Sequence, residues 1–146
     1  PPCQAVEPYL EKALADLNRL GAKITFVDKP IHKSTPLYSR YFLYAAETAD
    51  GFSEILHIRR VLFGIAKTKV VDSESELFQK LKTHNIKLSL INVKPIFDQW
   101  VELIQRFGVR STPTCIVKRP GQKIMIYTGS GKIPEGIDLL LKELSG

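Results

Sequence analysis

From about Leu37 to Phe107 the apolar residues recur with a helical period, and this long block is flanked by short segments of β character. Tyr38, Tyr41, Phe42, Ala45 and Ala46 form one stripe, and Phe52, Ile55, Leu56, Leu62 and Phe63 form a second, less regular one. Ser73-Glu-Ser-Glu76 is a capping-box signature ahead of Leu77, Phe78 and Leu81. Asn92 is placed to cap a last helix carrying Val93, Ile96, Phe97, Trp100, Val101, Ile104 and Phe107, and Gly108 closes it. Three or four helices are therefore expected between two stretches of different character. Trp100 and the Tyr38/Tyr41/Phe42 stripe are expected in the core of this block.

Before the block, Val6, Tyr9, Leu10, Ala13, Leu14, Leu17 and Leu20 predict a helix from Gln4 to about Leu20, ended by Gly21. Pro8 lies inside it and is expected to kink it after the first turn. Lys23-Ile-Thr-Phe-Val-Asp28 is β-branched and apolar, which predicts a buried strand. After the block, Thr114–Lys118 and Lys123–Thr128 predict antiparallel strands around a Pro120-Gly121 turn. Pro134 opens a final helix with Ile137, Leu140, Leu141 and Leu144. The expected division places residues 1–35 and 108–146 in one domain and residues 36–107 in an inserted helical subdomain.

The chain of 146 residues suits one domain with a core of its own. No apolar run approaches the ~18–20 residues of a membrane span. The 21 basic and 15 acidic residues give a net charge of +6, but the cations are scattered, Lys118-Arg119 being the densest cluster. No basic block with interleaved aromatics reads as a nucleic-acid surface, so a solvated basic exterior and no nucleic-acid partner are expected. Two cysteines, Cys3 and Cys115, are too few for a disulfide scaffold. His32, His57 and His84 lie far apart without ligand spacing, so no metal is expected.

Two motifs carry chemistry. Pro1-Pro2-Cys3 stands directly before the first helix, with Pro8 five residues past Cys3. Gly108-Val-Arg-Ser-Thr-Pro-Thr-Cys-Ile-Val117 leads into the first strand of the hairpin. The first resembles the thioredoxin Cys-x-x-Cys helix start from its second residue onward. The second resembles the loop of that superfamily in which a cis-proline precedes a strand. With a helical block inserted after the first helix and strand, the whole resembles DsbA and its relatives.

This resemblance implies an α/β architecture: a thioredoxin-like fold with an inserted helical subdomain, its N-terminal strand or strands missing from these residues. The residue before Pro1 is then expected to be cysteine, Cys3 the second, resolving cysteine, and Pro1 and Pro2 the pair that tunes the dithiol. Pro113 would be the cis-proline, and Thr112 with Ser111 the platform on which a substrate peptide pairs as an added strand. Cys115 shares strand parity with Pro113, which turns it toward the same layer, where it is expected to be an inert core thiol. Without the upstream strand the sheet would hold an open slot, so the isolated residues are expected to be unstable or paired with another segment.

The chemistry implied is thiol–disulfide exchange on cysteines of protein substrates, with no metal or organic cofactor. A thiol at a helix N-terminus faces unpaired N–H groups, which favour thiolate. The intervening Pro-Pro pair lacks the histidine usual in DsbA, and Thr112 stands where DsbA carries valine, as in disulfide isomerases. A recycling redox partner and a periplasmic or otherwise extracytoplasmic, bacterial location follow from the resemblance, with a membrane tether only through an N-terminal anchor. The competing expectation is a redox-inactive thioredoxin-like binding or chaperone module.

Overall fold

A computed structural model describes residues 2–30, 32–68, 71 and 73–146, with the side chain of Pro2 left out. Among the described residues there are six helices and two strands: α1 (Pro2–Arg19), α2 (Thr35–Glu47), α3 (Phe52–Thr68), α4 (Glu74–Thr83), α5 (Lys94–Arg106), β1 (Thr114–Val117), β2 (Met125–Thr128) and α6 (Lys132–Ser145). They fall into two compact units, Pro1–Thr25 with Ile104–Gly146, and Phe26–Leu103. The sequence places these divisions at 35/36 and 107/108. The first falls earlier because Phe26 belongs to the helices: its ring meets Phe42 edge-on at 6.1 Å and stacks on Phe52 at 6.3 Å. Two residues on, Asp28 accepts a 2.6 Å hydrogen bond from the buried Ser39 hydroxyl.

Helix ends follow local rules. Gly21 takes φ +93°, and the Gly21 and Ala22 amides donate to the Asn18 and Leu17 carbonyls, a Schellman closure of α1. The same pair of bonds closes α5 at Gly108 (φ +62°). Asn85, at φ 59°, closes α4 in the same way. At its other end α4 is capped by Ser73, whose Oγ accepts from the Glu76 amide at 3.4 Å. Asn92 sits just ahead of α5, and its Oδ1 accepts from the Lys94 amide at 3.2 Å. Pro8 is exposed, and α1 continues through it as one helix.

The helical unit buries Tyr41, Phe42, Ala45, Ile58, Val61, Leu62, Ile65, Val71, Leu77 and Leu81 in one cluster. Trp100 is buried too, stacked on Phe97 with centroids 5.4 Å apart.

The other unit contains the hairpin. β1 and β2 run antiparallel with Thr114 opposite Thr128, Cys115 opposite Tyr127, Ile116 opposite Ile126 and Val117 opposite Met125. The ladder is shorter than the apolar pattern suggests. The Gln122 amide donates to the Arg119 carbonyl and Gly121 adopts φ +70°, so residues 118–124 form a wider loop in place of a two-residue turn. A two-stranded hairpin is marginal alone. Here α6 covers one face: Gly136 lies so close to Tyr127 that a Cβ there would stand 2.5 Å from the ring.

The expectation for the segment after α1 fails. Lys23–Asp28 is not a strand. Its backbone retains a strand-like alternation, with Ile24, Phe26 and Asp28 half-buried and Lys23, Thr25 and Val27 exposed. A strand exists only through hydrogen bonds to a neighbour. Among the described residues the sheet consists of β1 and β2 alone.

Candidate functional site

Cys3 sits in the first turn of α1, half-buried and with a free thiol. Pro2 opens that helix. Pro1 lies outside the described residues, as does the side chain of Pro2. The loop before β1 belongs to the same compact unit. In it, Ser111 is exposed, Thr112 and Pro113 are half-buried, and the Thr112–Pro113 peptide is cis. The loop is anchored at both sides. The Thr114 hydroxyl donates to the Ser111 carbonyl at 2.8 Å, and the Gly129 amide donates to the Pro113 carbonyl at 3.0 Å. The second bond extends the hairpin by one step past its last ladder pair and fixes the loop against the start of α6.

α1 is held in this unit by its contact with α6. Its buried face is Val6, Ala13, Leu14 and Leu17, and α6 contributes Ile133 and Ile137 to the core. The polar clamp between the helices is Tyr9. Its hydroxyl donates to Asp138 Oδ1 at 2.6 Å and lies 3.2 Å from the Pro134 carbonyl oxygen. Burial raises the Tyr9 phenol above the ordinary tyrosine range, and Asp138 and the Cys115 thiol add to the rise. α6 packs in turn on β2, with Gly136 against the ring of Tyr127, the residue opposite Cys115. Thus Tyr9, six residues after Cys3, and the Cys115–Tyr127 pair, two residues after Pro113, both lie against α6.

Cys115 is the second free thiol. It faces the α6 side of the hairpin, because its cross-strand partner Tyr127 is the residue packed on Gly136. Burial pushes its thiol upward, away from thiolate. Cys3 and Cys115 are not joined to each other. Sequence reasoning missed Tyr9 and Asp138 as a pair. A tyrosine on a helical stripe and an aspartate in a C-terminal helix give no local signal of meeting.

The raised thiol and phenol make alkaline pH destabilising. Below about pH 8.5 folded and unfolded chains both keep the Cys115 proton. Above that value the unfolded chain loses a proton that the folded chain retains, so stability falls as pH rises toward the raised folded value. Tyr9 adds a second decline above about pH 10. Urea midpoints measured from pH 7 to 10.5 should therefore drop progressively, and Cys115→Ala should flatten the first part of the fall. A profile unchanged by that substitution would show that the thiol is not buried as described.

Among the described residues no group of three or more His, Cys, Asp or Glu side chains is arranged to hold a metal ion. No helix among them is long and apolar enough to cross a membrane. No protein-family model matches this chain, and no curated protein or solved structure matches it either.

Proposed function

We propose that this chain is a DsbA-like, thioredoxin-fold thiol–disulfide oxidoreductase that acts on cysteines of protein substrates. Its redox centre is a Cys-Pro-Pro-Cys dithiol whose first cysteine precedes Pro1 and whose second is Cys3. The observation that carries this reading is the position of Cys3 in the first turn of α1, inside the unit that also holds the Ser111–Pro113 loop, the hairpin and α6.

Exchange then proceeds without a cofactor. A substrate thiolate attacks the first cysteine of the oxidised pair, forms a mixed disulfide and releases the Cys3 sulfur as the leaving group. A second substrate thiolate attacks the substrate sulfur of that mixed disulfide and releases the first cysteine. Two electrons pass from substrate to enzyme, and a partner redox protein removes them. In the reducing direction the steps reverse, and Cys3 attacks the mixed disulfide. Thr112 and Ser111 offer backbone for an extended substrate segment beside Pro113. By the same reading the protein works in a bacterial periplasm or another extracytoplasmic compartment.

The test is equilibration of the protein, with its residue before Pro1 in place, in glutathione buffers, followed by alkylation and mass counting of free thiols. One pair is expected to titrate between the ~−120 mV of a strong disulfide donor and the ~−270 mV of a reductant. If no pair titrates, the chain is a binding module and the oxidoreductase reading is wrong.

A further inference from the structure

The helical unit contains a cavity of about 420 Å³, lined among others by Lys33, Leu37, Arg40, Glu74, Val93 and Phe97. Its volume lies in the lower part of the range typical of small-molecule sites. Its wall is apolar where Leu37, Val93 and Phe97 contribute, and cationic where Lys33 and Arg40 contribute. The lone carboxylate, Glu74, is already engaged: Arg40 Nη2 stands 3.4 Å from its Oε1, and the Tyr41 hydroxyl donates to the same oxygen at 3.2 Å. Lys33 is exposed and has no acidic partner among the described residues. Arg40 holds a spare donor, its Nε being buried without a hydrogen-bond partner, an arrangement that is costly unless an acceptor arrives.

The backbone adds to this charge. α2 and α5 both begin at this cavity, since each lends a residue from its first turn or just before it to the lining, whereas the first turn of α4 is capped by Ser73 and carries Glu74 and Glu76. Helix N-termini carry positive partial charge. α2 and α5 have no acidic residue in their first turns, and Ser34 provides α2 with no side-chain cap.

We propose that this cavity binds a small amphipathic carboxylate, its apolar body against Leu37, Val93 and Phe97 and its carboxylate between Lys33 and Arg40. A simple inorganic anion would leave the apolar wall uncovered. An uncharged apolar ligand would leave the cations unanswered. The site is independent of the thiol chemistry, because every lining residue belongs to the Phe26–Leu103 unit.

Octanoate is the probe. Trp100 is the single tryptophan, and it stacks on Phe97 of the cavity wall, so its fluorescence reports occupancy directly. Octanoate titrated into the full chain should give a saturable change in Trp100 emission. 1-Octanol, with the same tail and no charge, and inorganic phosphate, with charge and no tail, should each bind about tenfold more weakly or worse, a loss of about 1.4 kcal/mol. Lys33→Gln should weaken octanoate about threefold, as expected for an exposed ionic contact. Arg40→Gln should weaken it about tenfold. Neither variant should change octanol binding. Lys33 is exposed, so its variant tests the site even if loss of the Arg40–Glu74 pair disturbs the fold. Octanol or phosphate binding as tightly as octanoate would overturn the proposal. So would octanoate affinity unchanged in Lys33→Gln, or the absence of saturable binding by both fluorescence and calorimetry.

Discussion

Cys3→Ser, made in the protein with its residue before Pro1, is expected to trap a mixed disulfide with substrate and to slow disulfide reduction by about a hundredfold or more. The size follows from how the mixed disulfide is resolved. Cys3 is fixed in the first turn of an 18-residue helix, so its sulfur need not diffuse to the target. Even loosely tethered groups meet at effective concentrations in the millimolar range, and well-oriented ones at far higher values. Serine keeps the shape of the side chain but neither attacks sulfur usefully nor forms a disulfide. The adduct should be visible on non-reducing gels, its mass equal to protein plus substrate. Cys115→Ser is the matched control. That thiol is pushed toward its protonated form by burial in the hairpin, and its loss should leave turnover unchanged. Full turnover in Cys3→Ser with no adduct would remove Cys3 from the reaction and the oxidoreductase proposal with it.

What could be read from the sequence divides along the range of the forces involved. Helix ends are local, and Gly21, Ser73 with Glu76, and Gly108 all close or open helices through bonds to residues within five positions. Asn85 does the same work at the end of α4, and the His84-Asn85-Ile86 stretch was legible in principle, since asparagine tolerates φ 59° better than most residues. The Lys23–Asp28 segment marks the limit. Its apolar alternation is the local half of a strand, but the other half is a neighbour, and alternation says nothing about whether one is present. The hairpin was legible as two apolar runs, while its loop was not: Pro120-Gly121 suggests a tight turn, and the chain takes a wider one from Lys118 to Ile124. At the candidate site, Cys3 and the Ser111–Pro113 loop stand out as motifs. The Tyr9–Asp138 bond joins residues 129 positions apart and leaves no periodic trace.

Leu77→Ala should remove about 3 kcal/mol from the stability of the helical unit, within the ~2–5 kcal/mol range of buried leucine truncations. α4 has only ten residues, below the ~12–15 at which an isolated helix begins to hold in water. Its caps at Ser73 and Asn85 satisfy its ends, but docking must supply the rest. That docking is concentrated in Leu77 and Leu81, one turn apart and both with 0% exposure, set among Tyr41, Ile58, Leu62 and Val71. Truncating Leu77 loses transfer energy and leaves a void that a short helix, held at both ends, closes poorly. Phe78, the next residue, is the internal comparison: its side chain is 39% exposed, and Phe78→Ala should cost less than Leu77→Ala by about 2 kcal/mol. Urea unfolding of both variants measures the difference, and amide exchange in residues 77–83 should rise sharply only in Leu77→Ala. Equal costs for the two would mean that α4 does not dock through its leucine face, and that the core of the unit is built from α2 and α3 alone.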